Sequence, residues 1–121
     1  MMDRTAIRQQ ARFELARRDF FYCCQLMAGD FYKTDRTYLK QLCDSFQGFM
    51  SDDEHNVLVV NIGPRHGKSR TAGMFVQWLL GNDNSKKIIT VSYNDTLSTV
   101  FSKSVRNAIQ ETKADDSITV F

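Results

Sequence analysis

Proline is almost absent from this chain, with Pro64 the single one among 121 residues. That excludes a Pro-rich linker or recognition segment. Histidine is scarce as well, with only His55 and His66. The cysteines Cys23, Cys24 and Cys43 lack the Cys-x-x-Cys spacing of a zinc or redox site. They read as small buried apolar residues in a reducing compartment. Neither sign of charge dominates, because the formal net charge is only +2, which is too small to point to nucleic acid by itself. No apolar run reaches the length that spans a bilayer. Met1-Met2-Asp3-Arg4 opens a polar stretch without the apolar block of a signal peptide. The expected location is the cytoplasm of the host cell.

What is present is ordered by period. Phe13, Ala16, Phe20, Cys24 and Met27 recur at three- and four-residue steps, which predicts one long helix over Arg4–Ala28, closed by Gly29-Asp30. The early arginines Arg4, Arg8, Arg12, Arg17 and Arg18 read as its solvated face. Asp35 is the expected N-cap of a second helix running to Met50, with Leu39, Leu42, Phe46 and Phe49 as its apolar stripe. A polar loop, Ser51–Asn56, follows.

The period then changes. Val57–Ile62 is apolar at successive positions, as in a strand buried in a parallel sheet. Ala72, Phe75, Val76, Leu79 and Leu80 predict a helix ending at Gly81-Asn82. Ile88–Tyr93 predicts a second strand, and Asn94-Asp95 caps another helix carrying Leu97, Val100, Phe101, Val105, Ala108 and Ile109 on its inner side. Ile118–Phe121 begins a third strand. The fold expected is therefore α/β, a partial P-loop NTPase-type parallel sheet preceded by two N-terminal helices. Residues 1–52 form the helical lead-in and 53–121 the first half of the ATPase core.

The chemistry concentrates in Gly63-Pro64-Arg65-His66-Gly67-Lys68-Ser69. A triphosphate needs backbone N–H groups pointing inward from a tight turn, the positive end of a helix, a cation and a hydroxyl for Mg²⁺. Gly67 lets the backbone approach, Lys68 is the cation and Ser69 the metal-binding hydroxyl. The usual loop has its first glycine one position earlier, where this chain has Ile62, so the reading leans on a strand before the loop and a helix after it. Arg65 either lies over the γ-phosphate, as a catalytic arginine does, or pairs with a carboxylate elsewhere. His66 reads as loop filler. The expected ligand is ATP with Mg²⁺.

The run Asn61–Thr71, with its Pro-Arg-His-Gly-Lys-Ser core, resembles the phosphate loop of tailed-phage terminase large subunits. The resemblance continues through Gln77–Gly81, Ile89–Leu97 and Phe101–Arg106, and upstream through Asp30–Tyr32 and Tyr38–Cys43. It implies a motor that packages double-stranded DNA into capsids, a C-terminal nuclease, and partners including the portal protein, the small terminase subunit and further copies of the chain. It also implies that Arg65 works near the γ-phosphate, that Tyr32–Tyr38 lies near the adenine, and that the Ser92–Thr96 turn stands where helicase-like relatives touch DNA. On its residues alone that turn reads as a capped helix start, and that is the preferred reading.

No apolar strand ending in Asp and followed by a catalytic Glu comes after the loop, since Asp115-Asp116 precedes Ile118–Phe121. The sequence therefore reads as the N-terminal part of a longer enzyme, with negligible ATP hydrolysis on its own. Two alternatives remain: part of another helicase-like P-loop DNA translocase, or a non-catalytic stand-alone remnant that binds a partner.

Overall fold

A computed structural model describes residues 4–63, 66–92 and 94–115. Five helices account for its regular structure: α1 (Arg4–Arg18), α2 (Phe20–Met27), α3 (Thr37–Met50), α4 (Lys68–Asn82) and α5 (Asp95–Ala114). The chain forms two compact units, one extending to Lys68 and the other beginning at Ser69.

The first unit is held by an apolar core. Phe20, Cys24, Tyr32, Leu39 and Cys43 are completely buried, joined by Phe13, Ala16, Phe21, Cys23 and Leu42. Each large apolar side chain so enclosed contributes roughly 1.5–3 kcal/mol. The Arg and Lys ion pairs of this unit among the described residues, Glu14 with Arg17 and Arg18 and Lys40 with Asp44, are solvent-exposed. Pairs of that kind contribute about 0–1 kcal/mol each, so apolar burial dominates. All three cysteines are free and buried, as their spacing predicts.

The long helix expected over Arg4–Ala28 is two helices. Asp19 leaves the helical region at φ −121°, ψ 114°, and its carboxylate accepts from the Tyr22 N–H at 3.1 Å. It thus ends α1 and caps α2 at one residue, a role that Asp fills well. Gln47 on α3 seals the break. Its Nε2 donates to the Arg18 carbonyl at 2.7 Å, and its Oε1 accepts from the Phe20 N–H at 2.9 Å. The continuous apolar stripe hid this interruption. The C-terminal boundary falls where expected, with Ala28 as the C-cap of α2, while the N-cap of α3 is Arg36, without a side-chain cap bond, rather than Asp35.

In the second unit, α4 buries Thr71, Gly73 and Trp78. Gly73 faces α5, where a β-carbon would stand 3.6 Å from Val105 and 3.8 Å from Phe101. An open cleft of about 540 Å³ is lined by Val76, Leu80, Ile88, Phe101, Val105 and Ile109, together with Lys86, Arg106 and Lys113. The inner face expected of α5 is not enclosed, since no residue of that helix is buried and Leu97 and Val100 are exposed.

The α/β expectation is overturned: the described residues are helices and irregular segments, with no strand among them. The P-loop-type parallel sheet is therefore absent from the described residues. The physical reason lies in pairing. An apolar run becomes a buried strand only where neighbours take up its N–H and C=O groups and cover both faces. Here Val57 and Val59 are 76% and 73% exposed, and Ile89 and Val91 are 89% and 86% exposed. The strand expected at Ile118–Phe121 lies outside the described residues.

Candidate functional site

The bend ahead of α4 turns on Gly67. Its φ of +85° is the one positive-φ glycine among the described residues, and a side chain there costs roughly 1–2 kcal/mol in backbone strain alone. Space imposes a second restriction. A β-carbon on Gly67 would lie 2.6 Å from the Phe31 ring and 3.5 Å from Leu39. The bend is thus seated on the core of the first unit.

Phe31 is itself fixed. Arg36 donates through Nη1 to the Phe31 carbonyl at 3.0 Å, and its guanidinium carbon lies 5.2 Å from the Phe31 ring centroid. The ring meets the fully buried Tyr32 edge-on, with centroids 5.0 Å apart. His66 folds back over Gly63, where a β-carbon would meet the imidazole at 2.8 Å. It also contacts Tyr38 edge-on, with centroids 5.6 Å apart. The loop residues Gly63, His66 and Gly67 are therefore gathered with Phe31, Tyr38 and Leu39.

Lys68 and Ser69 are exposed and consecutive at the start of α4. The first turn of that helix contains no acidic residue, so no carboxylate there neutralises the positive end of the helix dipole. An accessible ammonium, an accessible hydroxyl and an unneutralised helix start fit the chemistry of a polyphosphate carrying Mg²⁺. The hydroxyl of Ser69 would be the ligand to that ion. Among the described residues, no group of three or more His, Cys, Asp or Glu is placed to hold a metal. Pro64 and Arg65 lie outside the described residues. The strand expected to feed the bend is not formed, and Asn61 and Gly63 are exposed. One of the two flanking elements behind the phosphate-loop reading is thus missing, while the other, the helix, is in place.

Within Ser92–Thr96, of which Tyr93 lies outside the described residues, Asn94 caps α5. Asn94 accepts from the Leu97 N–H at 2.8 Å, Ser92 donates its hydroxyl to the Asn94 carbonyl at 2.8 Å, and the Ser92 and Ser98 hydroxyls pair at 2.7 Å. The cysteines are far from reactive. Burial pushes the Cys23 thiol from 9.0 up to about 12. Cys24 is also raised, through its hydrogen bond with Cys43 and then through burial.

Sequence reasoning missed Phe31 and Arg36 as supports of the loop. The available signal was an aromatic directly after Gly29-Asp30, but nothing local tied it to a glycine 36 positions later in the chain. Among the described residues no helix is long and apolar enough to cross a membrane. Comparison with protein-family models, curated proteins and solved structures finds no match.

Proposed function

We propose that Gly63–Ser69 binds the phosphates of ATP with Mg²⁺, and that the chain is the ATP-binding part of a terminase-type motor that packages double-stranded DNA in the host cytoplasm. The observation that carries this reading is the positive-φ bend at Gly67 running directly into exposed Lys68 and Ser69 at the start of α4. Main-chain N–H groups at a tight bend, a helix N-terminus and an ammonium are the groups that bind a polyphosphate together. Arg65 is the proposed γ-phosphate arginine. The portal protein, the small subunit and further copies of the chain are the proposed partners, on the strength of the sequence resemblance. The reading stands on the bend and the helix, without a sheet.

Equilibrium titration with a fluorescent ATP analogue and Mg²⁺ tests it. Lys68→Ala is expected to weaken binding by roughly 10- to 100-fold, the size of a lost charged hydrogen bond. Equal affinity of wild type and Lys68→Ala refutes it.

A second reading, a chain that binds a protein partner without turning over nucleotide, is favoured by the exposure of Val57, Val59, Ile89 and Val91. Nucleotide affinity indifferent to Lys68, with these residues protected in a complex, would select it.

A further inference from the structure

The N-terminal half of α1 has a property that its sequence alone does not require. Every position from Arg4 to Arg12 is exposed, so these turns present all their faces. A helix of that kind, polar all round, takes little stability from packing. From Arg4 to Arg12 its charge has one sign: Arg4, Arg8 and Arg12 are present with no acidic residue between them, Asp3 preceding the first. At a rise of about 1.5 Å per residue the three guanidinium-bearing positions follow one another about 6 Å apart along one stripe. Among the described residues no ion pair engages them, whereas Arg17 and Arg18 are both taken by Glu14 at 2.6 and 2.8 Å. The helix therefore divides into a half that is packed, with its two arginines sharing the Glu14 carboxylate, and a half that is open and carries three arginines without such a partner among the described residues.

We propose that Arg4–Arg12 is a binding site for the phosphate backbone of duplex DNA, entering the major groove as a helix. The inference deepens the motor reading by naming the surface that holds its DNA, and the choice of DNA as the polyanion rests on that reading. An α-helix about 10–12 Å across fits a major groove about 12 Å wide, and exposure on every side leaves the basic stripe free to face the groove walls. Arginine forks match phosphate oxygens. A-form RNA offers a major groove too narrow for such a helix. A lipid surface calls for a broad apolar face, but the large exposed apolar residues of α1 are only Ile7 and Leu15.

The test uses the full chain and a fluorescent mixed-sequence DNA duplex, with affinity followed from about 50 to 200 mM salt. Arg4→Gln/Arg8→Gln/Arg12→Gln is expected to reduce the slope of log affinity against log salt by about 3, and the affinity near 0.1 M salt on the order of 100-fold. Lys86→Gln/Lys103→Gln/Lys113→Gln removes the same charge from the second unit and is expected to leave most of that slope. Helix content by circular dichroism checks that both variants fold. An unchanged slope in the α1 variant, equal losses in both variants, or tighter binding to phosphatidylserine vesicles than to duplex overturns the proposal. ATP-analogue binding is measured in parallel. Its absence alongside an intact, α1-dependent duplex slope sinks the nucleotide reading while the α1 site stands.

Discussion

Gly67 and Phe31 are matched so closely that a single methyl group at Gly67 would stand 2.6 Å from the aromatic ring. The bend that presents Lys68 is therefore set by two restrictions at once, a backbone that favours glycine and a ring that leaves no room for another residue.

Gly67→Ala is accordingly expected to destabilise the chain by about 2 kcal/mol or more, combining left-handed strain with displacement of the ring. Denaturant unfolding of Gly67→Ala, Phe31→Ala and the double variant separates the two causes. The alanine at 67 should cost less when the ring is gone, and strict additivity would show that the ring is not the obstacle. Gly48→Ala provides the contrast. No atom lies within 4 Å of its would-be β-carbon in α3, so helix propensity should make it neutral or stabilising by up to about 1 kcal/mol.

Gln47 ties the break between α1 and α2 by donating to Arg18 and accepting from Phe20. Gln47→Leu keeps the bulk and removes both bonds. The expected cost is about 1–3 kcal/mol, with the Phe20 N–H left without its acceptor. A thermal midpoint within a degree of wild type would mean that water replaces the amide without penalty.

The buried thiols set an alkaline limit on stability. Burial pushes the Cys23 thiol up to about 12, against 9.0 for an ordinary thiol, and Cys24 is shifted in the same direction. An acid whose pKa is raised by folding contributes its full stabilisation below the unfolded value and loses it as pH rises from there through the folded value. Unfolding free energy should thus fall between about pH 9 and pH 12. Cys23→Ala/Cys24→Ala should flatten that fall, though its stability near neutrality will be lower. A pH profile identical to wild type would contradict the assignment.

Much of the first unit was legible in the sequence, because helical periodicity reports a buried stripe directly. Phe13, Ala16, Phe20, Cys24, Leu39 and Leu42 are buried as their spacing predicts. The Asn94 cap was equally legible, since an N-cap bond involves only neighbours in the chain. The sheet was misread for the converse reason. Val57–Ile62 and Ile88–Val91 have the composition of buried strands, but composition states a need for cover and not which partner supplies it. The break at Asp19 was also hidden, because its two helices keep nearly the same apolar face and its seal comes from Gln47, 28 residues away. In the loop, the types of Gly67, Lys68 and Ser69 could be read, while their support by Phe31 and Arg36 depends on tertiary contact.

Exposed apolar residues should govern association. Val57→Thr/Val59→Thr/Ile89→Thr/Val91→Thr removes side chains that are 73–89% exposed, so folding stability should change by only about 0.5 kcal/mol per site. Self-association, followed by sedimentation velocity across a concentration series, should decrease. Unaltered association would place the sticky surface elsewhere, with the cleft between α4 and α5 the next surface to test.

The nucleotide claim is tested most directly by amide NMR of the intact chain during titration with Mg²⁺ and a non-hydrolysable ATP analogue. The account predicts that the largest shifts fall on the His66, Gly67, Lys68 and Ser69 amides, saturate with the ligand, and disappear in Lys68→Ala. Saturating shifts confined to other residues, or none at those four amides, would contradict it.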